Sequence, residues 1–176
     1  MDGLEKLSHA IEKKELQQNE LRKKEADDFH EKEKKILKRS TAFIQESDKL
    51  IEHLISLLKK FENNIISETD YYSVGCGELS RNRYNVRGMR ISAYNKYISI
   101  IPQDLDKGYW LGTAILNVDC LKDRDFQIET SLILRENNEE KYDWFIHEHS
   151  NTVENKNNKK LNDENFYEFL LDKLDL

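Results

Sequence analysis

Four arginines and one lysine fall within residues 79–103, and no acid does. They are Arg81, Arg83, Arg87, Arg90 and Lys96, with Tyr84, Tyr94 and Tyr97 set among them. A guanidinium is a planar fork of donors that grips phosphate or carboxylate with two bonds and stacks on rings. The pattern points to an anion site at Arg81, Arg83, Arg87 and Arg90, for nucleic acid, a phosphate-bearing ligand or an acidic protein surface. The competing reading is pairing with acids on neighbouring strands, such as Asp119, Asp123, Asp125 and Glu129.

Other residue types that do chemistry are thinner. His147 and His149 fall on one face of an expected strand, which suits a metal, but no third ligand is in sight. Cys76 sits between Gly75 and Gly77 with no base in sequence reach, so it reads as a loop thiol rather than an activated nucleophile. Asp119, Asp123 and Asp125 lack the spacing and the glycine of a calcium loop. No phosphate-binding glycine loop and no nucleophile elbow is present. Trp110, Trp144, Phe126, Phe145 and Phe169 stand at spacings typical of a core rather than of a ligand pocket. No catalytic residue, metal or cofactor is assigned.

Charge narrows the partners. The net charge is −6, but it is unevenly spread. Residues 1–66 balance to zero, residues 67–103 carry +2 and residues 104–176 carry −8. The acidic C-terminal part disfavours nucleic acid spread over a whole surface and leaves only a local basic site. Two cysteines far apart in sequence do not make a disulfide scaffold, so a reducing, cytoplasmic setting is expected. The N-terminal stretch has no apolar core of a leader, and no apolar run is long enough to span a membrane.

The elements that must position these side chains begin with residues 36–66. Ile36, Phe43, Leu50 and Leu57 recur every seven residues, as do Leu37, Ile44, Ile51, Leu58 and Ile65. Leu54 and Phe61 fill the row between, giving one wide apolar stripe on a helix. No glycine or proline occurs between Leu4 and Val74. Residues 13–35 are densely charged, with Glu20–Lys24, Asp28–Lys32 and Glu31–Lys35 in the favourable i,i+4 order. A single helix of about 60 residues is preferred over a helical hairpin, because a hairpin turn would recruit glycine or proline.

After residue 66 the period falls toward two. Residues 67–78 read as an exit loop and a short strand. Residues 86–101, 110–120, 126–134 and 142–149 read as strands of an antiparallel meander. Tyr94–Tyr97 is a tight turn or a bulge, and Pro102 is expected to stop its strand. Residues 150–160 read as a loop. Asn162 caps a final helix whose apolar face is Phe166, Phe169, Leu170 and Leu174.

The fold class is therefore α+β: a long N-terminal helix able to form a coiled coil, an antiparallel sheet of four to five strands, and a C-terminal helix. Residues 1–67 are the helical part and 68–176 the globular part. So small a sheet leaves a surplus of apolar helix face. The expected function is a non-catalytic assembly or accessory subunit, a homodimer or part of a larger complex. It would dock through Ile36, Phe43, Leu50, Leu54, Leu57 and Phe61. The alternative is a nucleic-acid or phosphate-ligand binder using the arginine segment.

Overall fold

The computed structural model describes residues 3–76, 82–107, 110–120, 127–137, 141–148 and 158–174. Helix α1 runs over Gly3–Leu58 without a break, as a stretch free of helix breakers allows. A short 3-10 turn at Lys59–Phe61 ends it, and Phe61 O accepts from the amides of Asn64 and Ile65. Two compact units, Met1–Lys38 and Arg39–Leu176, divide inside α1 rather than at its end.

In the second unit seven strands follow: β1 (Ile66–Cys76), β2 (Arg83–Ala93), β3 (Lys96–Lys107), β4 (Trp110–Cys120), β5 (Gln127–Glu136), β6 (Tyr142–Glu148) and β7 (Asn158–Lys160). Helix α2 closes the chain at Asp163–Leu174. The sheet is an open antiparallel meander in the order β1 to β7. The end of β1 also pairs in parallel with β3, Gly75 with Asp104 and Cys76 with Leu105.

Alternation builds the core. Met89, Ile100 and Leu116 stand side by side across β2, β3 and β4, and so do Ile91, Ile98 and Val118. Ala114, Leu132 and Ile146 continue that face across β4, β5 and β6. Every second side chain points the same way, so over β2 to β6 that face is largely apolar, with Thr130 buried in it. Ile51, Leu54 and Leu58 of α1 cover it together with Phe166, Leu170 and Leu174 of α2. Phe43 lies over Gly112 and Trp144, its ring 5.5 Å from the Trp144 ring. A Cβ at Gly112 would clash with the Phe43 ring, so the helix sits this close only because position 112 has no side chain.

The class and the long helix agree with the sequence, but the strand count does not. Seven strands replace the four to five expected. Tyr94 and Asn95 form a two-residue hairpin turn, with Tyr94 at φ 52°, so one expected run is two strands. Strand β1 takes all of Ile66–Cys76, where an exit loop and a short strand are expected, because its first six residues are exposed and carry no apolar alternation. Strand β7 is three polar residues inside the expected loop. Pro102 does not stop β3. It sits where the register to β4 shifts between Pro102 and Asp104, a bulge that tolerates a missing amide hydrogen.

Asn162 caps α2 as its sequence suggests. The Asn165 amide donates to Asn162 Oδ1, and the Asn162 amide donates back to Asn165 Oδ1. This is a capping box with asparagine at both positions.

Candidate functional site

The side chains expected to meet a partner fall into two groups. Ile36, Phe43 and Leu54 are buried, with Phe43 at 0% and Leu54 at 2% exposure. For Phe43 and Leu54 the cover is the chain's own sheet, which is wider than four or five strands would be. The surplus of apolar face is correspondingly small there. Leu50 and Leu57 are only half-buried, and Phe61 is exposed, edge-on to Tyr167 at 6.3 Å.

The larger exposed apolar surface lies elsewhere on α1. Leu7, Ile11, Leu16, Leu21 and Phe29 are each exposed by half or more, from 50% at Ile11 to 62% at Leu16. Leu7 and Ile11 are four residues apart, on one face of the helix.

Leu50 and Leu57 wall a cleft of about 210 Å³ between α1, β6 and the start of α2. Leu54, Trp144 and Phe166 form its apolar side; His53, Asp143 and Asp163 bring polar groups to it. His53 Nε2 and Asp163 Oδ1 are 2.6 Å apart, tying α1 to the first turn of α2. Asp143 accepts from Lys160 at 2.9 Å and from Asn137. The Lys160 hydrogen bond, first among the causes, holds the Asp143 carboxyl below its ordinary pKa, against the opposing effect of burial. Trp144 Nε1 is buried without a hydrogen-bond partner among the described residues. No local pattern of residues signals this cleft. His53 and Asp163 are 110 residues apart, and only the packing of α2 on α1 joins them.

The arginine segment is dispersed by its strand. Arg83 and Arg87 lie on one face of β2 and Arg90 on the other, because side chains alternate. Arg83 donates from Nε to Ser73 Oγ and from an Nη to Ser73 O, both at 2.9 Å. Arg87 is bonded to Glu52 of α1, and this hydrogen bond raises its pKa further. Arg90 lies over the Tyr97 ring at 5.0 Å and stands opposite Glu68 in the register. Arg81 lies outside the described residues. Among the described side chains, Glu52 bonds Arg87 and Glu68 stands opposite Arg90 in the register. Asp119 instead accepts from Asn117 at 3.0 Å, and Asp123 and Asp125 lie outside the described residues.

His147 is half-buried on β6 opposite Ser131, while His149 lies outside the described residues. Among the described residues no three histidine, cysteine or acidic side chains are grouped to hold a metal. Cys76 is not a loop thiol. It ends β1, is 1% exposed and lies 3.2 Å from Ser40 Oγ. Among the described residues no helix is long and apolar enough to cross a membrane.

Compared with known proteins, the chain matches no family, no curated sequence and no solved structure.

Proposed function

We propose that this protein is a non-catalytic assembly subunit that docks a protein partner through α1. The observation that carries this reading is the exposure of Leu7, Ile11, Leu16, Leu21 and Phe29 on a helix segment with no core of its own among the described residues. Scattered exposed leucines are ordinary, but five on one helical segment with Leu7 and Ile11 adjacent suit a surface that a partner covers. Charge supports it. Residues 1–66 have no net charge, so this part can approach another protein without like-charge repulsion. The arginines support it indirectly, since Arg87 is engaged by Glu52 and the described arginines do not form one anion-facing patch.

The test is native mass and co-purification. The wild-type chain should run as an assembly well above its own 21.0 kDa, with itself or with a partner from its source cell. Changing Leu7, Ile11, Leu21 and Phe29 together to serine should release a folded monomer. An unchanged assembly mass in that variant would remove the reading.

A further inference from the structure

The cleft beside α1 has the geometry of an empty helix-packing hole. Leu50, His53, Leu54 and Leu57 stand at i, i+3, i+4 and i+7, the four positions that surround an inserted side chain when two helices interlock. A structure with its partner in place fills such a hole with an apolar knob. Here the four residues open instead onto about 210 Å³, backed by Trp144 and Phe166. At about 30 Å³ per water this is the room of roughly seven waters, enough for an aliphatic side chain and its neighbour. The far rim holds two carboxylates: Asp143, already paired with Lys160, and Asp163, which faces His53 and is the one open to a further cation.

We infer that the occupant is α1 of a second copy of this chain, presenting Leu7 and Ile11 as knobs with Lys14 beside them. Residues 7, 11, 14, 18 and 21 advance by four and three, so they form one ridge, and they read Leu, Ile, Lys, Gln, Leu. Leu7, Ile11 and Leu21 are exposed. Lys14 is the one charge on that ridge, and it meets the acidic rim when Leu7 and Ile11 seat in the hole. Asp163 holds His53 through Oδ1, and a carboxylate has room for further donors. The alternative of two such ridges lying parallel and in register sets Lys14 against Lys14, which costs energy where the cleft offers opposite charge. Each copy has one ridge and one hole, so the proposed pair is reciprocal, each ridge in the other copy's hole. This inference rests on α1 being the docking element.

The experiment uses the full chain and reads mass by sedimentation velocity across a dilution series, with circular dichroism to confirm folding. The wild type should dimerise. Leu7→Glu with Ile11→Glu, and separately Leu57→Glu, should each give monomers. Lys14→Glu should weaken dimerisation about tenfold or more, and adding Asp163→Lys to the same chain should restore it. Both charge changes are at solvent-facing positions, so they keep the test intact if Leu57→Glu disturbs the core. If the Leu7/Ile11 variant dissociates while Leu57→Glu and Asp163→Lys leave the dimer unchanged, the ridges pair with each other. The cleft assignment is then overturned while docking through α1 stands. A wild type that is monomeric at every concentration also overturns the inference, and a partner of different sequence is then the remaining target of the co-purification test.

Discussion

Residues 3–35 and residues 36–58 belong to one helix and differ in burial. The second stretch places Phe43, Ile51, Leu54 and Leu58 in a core. The first leaves Leu7, Leu16, Leu21 and Phe29 in solvent. Both are helical, so helix propensity does not decide which is buried. Density does: the second stretch gives an apolar residue to nearly every turn of one face, and the first interrupts its face with Lys14, Gln18 and Glu25. Burial follows the continuity of the stripe, because a charged side chain in the row would have to be desolvated.

That contrast can be broken by equivalent deletions in the two stretches. Phe43→Ala removes a ring packed on Gly112 and Trp144 and should cost about 3–5 kcal/mol in urea unfolding. Phe29→Ala, the same deletion on the exposed stretch, should change the stability of the isolated chain by no more than about 0.5 kcal/mol. Equal losses at both sites would erase the distinction. Gly112→Ala approaches the same contact from the sheet side. Overpacking against Phe43 should cost about 1–3 kcal/mol, and combining it with a smaller residue at position 43 should recover part of the loss.

A smaller effect is expected at the cap of the second helix. Asn162→Ala removes a side-chain acceptor and should cost about 1 kcal/mol by chemical denaturation. The smallest is electrostatic. Asp143 is held below its ordinary pKa by Lys160, so the ionised form is the one the fold favours. Its contribution is complete above the ordinary aspartate pKa and is lost as pH falls through the lowered value. Asp143→Asn should therefore lower stability by about 0.2–1 kcal/mol near neutrality, and the gap to wild type should close in acid. A gap that persists or widens at low pH would reverse the assignment.

Much of this fold was legible in the residues. The apolar stripe announced its helix, although the helix expected over residues 1–67 ends at Leu58 and Ile66 opens β1; alternation announced β4, β5 and β6, and Asn162 announced its cap. What escaped is equally physical. Strand β1 is paired mainly on one side and exposed over its first half, so it needed no apolar alternation to form and showed none. Its length, the split of one expected run at Tyr94–Asn95 and the polar β7 make the sheet wider than four or five strands, and that width covers Phe43 and Leu54, which the sequence assigns to a partner. The arginine segment looked like a patch because residues close in sequence were pictured close in space. A strand sends Arg87 toward Glu52 and Arg90 to the opposite face. The His53–Asp163 cleft had no local signature at all, since it exists only once the chain's two helices meet.

The order of the elements along the chain has a consequence for biosynthesis. The contacts of α1 with the sheet reach far ahead in sequence: Arg39 donates to Trp110 O, 71 residues on, and Phe43 stacks against Trp144. A ribosome delivers the helix with its greasy face complete long before the strands that will shelter it. During that interval the apolar face is without its cover, at a synthesis rate of about 5–20 residues per second a window of several seconds. The meander itself can zip strand by strand, each pairing with the one just made, so the helix waits on the sheet and not the reverse.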